Sequence, residues 1–159
     1  AGNRVTAIIG AKRAELLIYK ESMKEVSDRL YFATDDGSEG RKGFVNDILK
    51  DLLESGEKFD LIYAVGAVTM MKAVTEVTKP HNIKTIVGLN SLMIDGTGMC
   101  GCCRVTVGGK PMFTCVDGPE FDAHSVDFNR LRARVHMYDP EERAALELYE
   151  RCACAKAGS

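Results

Sequence analysis

Two spacings of apolar residues take turns over the first ninety positions. Short β-branched runs, "VTAIIGA" (5–11), "LYFATDD" (30–36), "LIYAVGA" (61–67) and "TIVGLN" (85–90), read as buried strands. The segments between them read as helices. "AELLIYKESMKEVSD" sets Leu16, Leu17, Met23 and Val26 near helical spacing. "GFVNDILKDLLES" puts Phe44, Val45, Ile48, Leu49, Leu52 and Leu53 on one face and Asn46, Asp47, Lys50 and Asp51 on the other. "TMMKAVTEVTK" is a helix that Pro80 stops soon after. Strands alternating with helices predict an α/β fold, a parallel sheet covered on both faces.

The pattern changes after Asn90. "CRVTVGGKPMFTC" (103–115) predicts two short strands around Gly108-Gly109, a hairpin signal. "DPEERAALELYERCAC" predicts a closing helix, with Asp139 as N-cap, Pro140 in the first turn and Glu142 completing a capping box. The expected organisation is an α/β domain over 1–90, a small β-rich module over 91–128 and a helical tail over 129–159.

Composition narrows the function classes. The 159 residues are 45% hydrophobic and 28% charged, the balance of a soluble globular protein with a sizeable core. A net charge of −2 provides no field for nucleic acid or an anionic membrane. No apolar stretch is long enough to span a bilayer and no secretory signal opens the sequence. Four of the six cysteines crowd into residues 100–115, and the first ninety residues have none. That distribution suits a local metal site in a reducing, cytoplasmic compartment better than a disulfide framework.

In an open parallel sheet the ligand crevice lies beyond the carboxyl ends of the strands. Those ends run into "GAKR" (10–13), "TDDGSEGRKG" (34–43) and "GAVTMM" (66–71). Glycine at each exit permits a close backbone approach to a ligand. Asp35 and Asp36 are placed to accept hydrogen bonds from ribose hydroxyls, and the helix that follows Thr69 to offer its N-terminus to a phosphate. The competing interpretation is that all of these are ordinary strand-to-helix turns, and no GxGxxG is present.

The stretch "DGTGMCGCCRVTVGGKPMFTC" carries the more specific signal. Its spacing is Asp95-x4-Cys100-x2-Cys103 followed by Cys115. The plant-type [2Fe–2S] arrangement is Cys-x4-Cys-x2-Cys with a more distant fourth cysteine, so aspartate stands here in the first place. Gly96, Gly98 and Gly101 allow the loop to wrap a cluster and aim N–H groups at its sulfurs. The expectation is a [2Fe–2S] cluster with one oxygen ligand. Zinc on Cys100, Cys103 and Cys115 with Asp95 or a C-terminal cysteine competes, as do a Cys100–Cys103 disulfide and plain packing of thiols. Cys102 is read as a spectator, Cys152 and Cys154 as packing or surface residues of the last helix, and His124 as a surface or packing residue. No residue is nominated as a general acid or base.

With these residues in view, the chain resembles the electron-transfer subunits of the dihydroorotate dehydrogenase type, a ferredoxin reductase-like family. Within that family it looks like the ferredoxin:NADP oxidoreductase (sulfide dehydrogenase) branch, because the dihydroorotate dehydrogenase subunits usually place cysteine where Asp95 stands. The carrying stretches are "GNRVTAIIGAK", "TDDGSEGRKGFV", "VGAVTMMKAV", "GLNSLMIDGTGMCGCCRVTVGGKPMFTCVDGPEFDAHSVDF" and "RLRARVHMYDPEE". The resemblance implies an FAD-binding β-barrel, an NAD(P)-binding α/β domain and a [2Fe–2S] module. It implies that this sequence is a piece lacking the barrel and the first, central strand of the nucleotide domain, and inactive by itself. It implies Asp95, Cys100, Cys103 and Cys115 as cluster ligands. Asp35, Asp36, Gly37 and Ser38 fall on the ribose side of the nucleotide, Gly66, Met70 and Met71 on the nicotinamide and pyrophosphate side, and Gly10, at the first strand's exit, is a further cofactor-binding candidate. It further implies electron passage between NAD(P)H, FAD and the cluster to a larger flavin or iron–sulfur subunit, with ferredoxin as a further candidate partner. Asp35 and Asp36 favour NADH, since a carboxylate repels a 2′-phosphate. Two departures stand out: the family usually has Gly-Pro at Gly66-Ala67 and alanine at Cys102. The alternatives are a dihydroorotate dehydrogenase electron-transfer subunit, or a non-enzymatic nucleotide-binding module with structural zinc.

Overall fold

The computed structural model describes residues 2–157, with side chains described through Arg151. Strand β1 (Thr6–Ala11) pairs in parallel with β2 (Arg29–Thr34), and β2 with the short β3 (Arg41–Lys42). Between β1 and β2 the chain does not form the one long helix its periodicity predicts. A 3-10 turn at Ala14–Leu16 is followed by α1 (Lys20–Val26), and Tyr19 between them sits at φ 56°. A left-handed residue cannot continue a helix. Helix α2 (Val45–Glu54) buries Ile48, Leu49 and Leu53, close to the predicted face, although Phe44 is left exposed at its N-cap.

Strand β4 (Leu61–Val65), helix α3 (Val68–Thr78) and strand β5 (Lys84–Gly88) follow, with β4 and β5 parallel. The hairpin is present as β6 (Arg104–Val107) and β7 (Lys110–Phe113). Gly108 and Gly109 turn it at φ 57° and 76°, which only glycine adopts cheaply in succession. Three elements escape the hydrophobic pattern: α4 (Thr114–Asp117), β8 (Glu120–Asp122) and α5 (Phe128–Val135). The last helix, α6, spans Asp139–Ala157. Asp139 is its first residue, not its cap; its carboxylate meets the His136 ring Nδ1 at 3.0 Å.

The parallel sheet expected from the alternation is present as two parallel pairs. Among the described residues, β1 is bonded only to β2 and β4 only to β5, so the sheets run β1-β2-β3 and β4-β5-β8. Helices α2 and α3 bridge them, and Ile8 of β1 and Val45 of α2 pack against the same core as Ala64, Val68, Met71 and Val87.

The module expected after residue 90 packs directly on the α/β part. Strand β8, inside the expected module, lies antiparallel on β5, registering Val87 with Phe121. Val105, Phe121, Ala123, Phe128 and Leu131 belong to one core with Leu49, Leu53 and Val74. The expected tail also begins inside the body, because Leu131 is 2% exposed. Apolar residues from all three expected segments share one desolvated interior.

Candidate metal centre and nucleotide crevice

The loop from Ser91 to Cys103 leaves β5 and returns to β6 carrying three of the four candidate ligands. Its base is fixed by a buried chain of hydroxyls. The Thr114 hydroxyl donates to the Cys103 carbonyl at 3.0 Å, so Ser91 Oγ, 2.6 Å away, donates to Thr114 Oγ1. The Thr114 N–H donates to the same Cys103 carbonyl at 3.1 Å. Thr114 has no exposed surface, so this knot ties the cluster loop to the hairpin where water cannot compete.

Two contacts link candidate ligands, one through a backbone N–H and one between sulfurs. Asp95 accepts the N–H of Thr97 at 2.9 Å and that of Cys100 at 3.0 Å. Cys103 Sγ and Cys115 Sγ lie 3.3 Å apart, in contact and not bonded. Gly96, Gly98 and Gly101 adopt φ of 74°, 84° and 67°, as a loop folding back on its own side chains requires. The thiols of Cys100, Cys102, Cys103 and Cys115 are all free.

The electrostatics are those of a site prepared for anionic ligands. Hydrogen bonding from the Thr97 N–H, with Cys100 adding to it, holds the Asp95 carboxyl below its ordinary range. Burial works to raise the Cys103 thiol, but hydrogen bonds from the Cys115 backbone and side chain outweigh it and bring it down. Cys115 moves up, chiefly because its thiol shares a proton with Cys103, and a backbone bond from Gly98 opposes that rise. One thiolate therefore forms ahead of the other.

Among the described residues no three His, Cys, Asp or Glu side chains converge on one point, as a mononuclear site would need. Two sulfurs on one tetrahedral metal with bonds of about 2.3 Å sit about 3.8 Å apart. The Cys103–Cys115 contact is close to that, and Asp95 bonds to the backbone N–H of Cys100, three residues before Cys103. One carboxylate and free thiols on one loop are donor types that an iron–sulfur centre accepts. Around them lies an apolar collar: Leu92, Ile94, Met99 and Val116 are all more than half exposed.

The nucleotide candidates divide. Asp36 Oδ1 accepts the Ser38 N–H and hydroxyl at 3.0 and 2.6 Å, and Ser38 Oγ accepts the Ala14 N–H at 2.7 Å. The Asp35–Ser38 turn is thereby drawn against the exit of β1, and the Ser38 hydroxyl bond lowers the Asp36 carboxyl. Asp35, Asp36, Gly37 and Ser38 are exposed there. Gly10 serves packing, since a Cβ on it would meet Val45 Cγ1 of α2 at 2.5 Å. Gly66 stands at the end of β4 with φ 152°, and a Cβ there would meet Met70 Cε at 2.7 Å. Met71 corrects the expectation. Its side chain has no exposed surface and lies in the core beside Val68 and Val74, so it cannot line a crevice.

His124 agrees with its reading as a packing residue: its Nε2 meets the Ile83 carbonyl at 3.1 Å and its Nδ1 is buried. It borders a depression at the far end of β5, away from the cysteine loop, with Lys79, Lys84 and Asp122.

Comparison with known proteins bears on the cysteine loop first. Residues 90–127 match the family described as the iron-sulfur cluster binding domain of dihydroorotate dehydrogenase B. The dihydroorotate dehydrogenase B (NAD(+)) electron transfer subunit homolog of Thermotoga maritima is 44% identical over 149 residues, 94% of this chain. A probable dihydroorotate dehydrogenase B (NAD(+)) electron transfer subunit from Methanopyrus kandleri is 39% identical over 117 residues, 74% of this chain and 43% of that protein. The chain is similar to these electron transfer subunits over most of its own length. A chain from the structure of an NADH-dependent reduced ferredoxin-NADP oxidoreductase, studied for flavin-based electron bifurcation, superposes with a TM-score of 0.82. It is 43% identical, over 94% of this chain and 53% of that one. The chain spans about half the length of the curated relatives it matches. No described helix is long and apolar enough to cross a membrane.

Proposed function

We propose that this chain is the nucleotide- and cluster-binding part of an electron-transfer subunit in an iron–sulfur flavoprotein oxidoreductase. The observation that carries this reading is the contact of the Cys103 and Cys115 sulfurs beside the Asp95 loop, knotted to the body at Thr114. These four residues would hold a [2Fe–2S] cluster, which supplies one-electron chemistry when bound. The chain's own residues provide its setting. The Thr114–Ser91 knot fixes the Cys103 peptide, and hydrogen bonds from Cys115 favour the ionised Cys103 sulfur. The Asp35–Ser38 turn and the Gly66 exit would bind the NAD(P)H ribose and nicotinamide sides. FAD would be held mainly by chain outside this sequence.

The open edges of β1 and β4 would receive a strand from that same additional chain, and the apolar collar would meet a larger flavin or iron–sulfur subunit. Without those parts the stretch would not turn over NAD(P)H. The aspartate in the first ligand place favours the ferredoxin:NADP oxidoreductase (sulfide dehydrogenase) type. Pairing with a dihydroorotate dehydrogenase is the second reading, favoured by the names of the relatives. Assays of the purified complex with ferredoxin and with dihydroorotate separate the two.

The deciding experiment is metal and acid-labile sulfide analysis of the anaerobically purified full-length protein, with EPR after dithionite reduction. About two irons and two sulfides per chain with an S = 1/2 signal are expected of a [2Fe–2S] centre. About one zinc and no labile sulfide would refute the assignment.

A further inference from the structure

The turn from Cys100 to Cys103 is held from two directions, and only one of them belongs to the cluster module. Thr114, at the start of α4, takes the Cys103 carbonyl through both its N–H and its hydroxyl. Arg134, in the last turn of α5, donates from Nη2 to the Cys102 carbonyl at 3.0 Å. The two carbonyls flank Cys103, so together they fix the peptide planes on either side of its Cα. Rotating the Cys102–Cys103 peptide would swing the Cys103 thiol away from Cys115, which it meets at 3.3 Å.

The rest of the turn is loosely built. Gly101 is at φ 67°, and the Cys102 N–H has only the Cys100 sulfur, at 3.4 Å. Arg134, in contrast, stands on a fixed base. Phe128 and Leu131 seat α5 in the core at 7% and 2% exposure, and Arg134 is one helical turn beyond Leu131. The Asp127 side chain caps the helix by accepting the Arg130 N–H at 3.0 Å. A hydrogen bond from a charged donor is stronger than a neutral one, and here it connects a helix seated in the core to the Cys100–Cys103 turn.

We infer that Arg134 is a positioning residue for the metal centre, setting the Cys100–Cys103 turn through the Cys102 carbonyl so that the Cys103 thiolate faces Cys115. This rests on the ligand assignment above. Arg134 touches no ligand sulfur among the contacts described; it acts through the peptide. It also brings positive charge beside a centre that becomes more negative on reduction, as does Arg104, whose Nη2 lies beside Gly101.

The test uses the full-length protein purified anaerobically, with Arg134→Ala, Arg134→Gln and Arg134→Lys. Arg132→Ala, an exposed neighbour on the same helix, serves as the control. Three quantities are read: the half-time of iron loss to a chelator, the EPR line shape and the midpoint potential. Arg134→Ala is expected to lose iron about tenfold faster, the loss of one charge-assisted hydrogen bond, with an altered line shape. Arg134→Gln and Arg134→Lys, which keep a donor, recover most of the half-time. Should Arg134→Ala unfold on purification, Arg134→Met, which keeps the stem without a donor, takes its place: iron loss faster than in Arg134→Gln and Arg134→Lys supports positioning, and equal half-times overturn it. Unchanged half-time and line shape in Arg134→Ala overturn the inference, and so does a shift in potential alone, which would make Arg134 a charge and no more. A parent protein that carries no iron overturns the ligand assignment itself.

Discussion

Asp95 differs from the three cysteines in what its oxygens already do. One accepts the Thr97 N–H and the other the Cys100 N–H, so the carboxylate both shapes the loop and keeps lone pairs for a metal. Asp95→Ala removes both functions, and iron affinity is expected to fall about tenfold or more, measured as iron and sulfide per chain. Asp95→Cys keeps a ligand but loses the turn, so it should retain iron while its EPR signal changes. Asp35 is exposed beside the Asp36–Ser38 turn and has no side-chain partner among the bonds described. Asp35→Arg is expected to move the NADPH-to-NADH ratio of kcat/KM upward about tenfold, and a wild type already preferring NADPH would refute the carboxylate argument. Of the site, the ligand spacing is legible in the sequence because it is local in the chain. Ser91, Thr114 and Arg134 are not, because each meets the loop only through the tertiary fold. Met71 is misplaced by its nearness to Gly66; the helical period joining Val68, Met71, Val74, Thr75 and Thr78 puts it in the core.

At the scale of elements, long amphipathic runs are readable and short ones are not. Helix α2 is legible because its apolar residues fill one face over three turns. Helix α5 escapes notice because "FNRLRARV" buries only Phe128 and Leu131 among charged residues. Strand β8 is three residues long, too short for alternation to register, and its place beside β5 is set by Phe121 entering the core. The helix expected over residues 14–28 breaks at Tyr19, a conformational choice that no periodicity encodes. Leu131 shows how much rests on a sparse pattern: Leu131→Ala is expected to cost about 2–5 kcal/mol of stability, read from the denaturant midpoint. If α5 carries the loop through Arg134, the same change should also speed iron loss.

For the whole molecule, the decisive feature is that the parallel sheet is built as two parallel pairs. Backbone groups on the outer sides of β1 and β4 have no strand partner among the described residues, and Leu61, Tyr63 and Val65 on β4 are about half exposed. Outward-facing amides of β4 should therefore exchange hydrogen much faster than the amides it donates to β5, and a strand joining that edge should slow them by orders of magnitude. Equal protection on both sides of β4 would show that the two pairs already meet. Neither "TAIIGA" nor "LIYAV" contains a lysine, a proline or any charge. An edge so undefended takes up a foreign backbone as readily as its proper neighbour. When this stretch is concentrated without a strand in the opening, it should form particles that scatter light, seeded from β4, and Tyr63→Lys should keep the solution clear for longer.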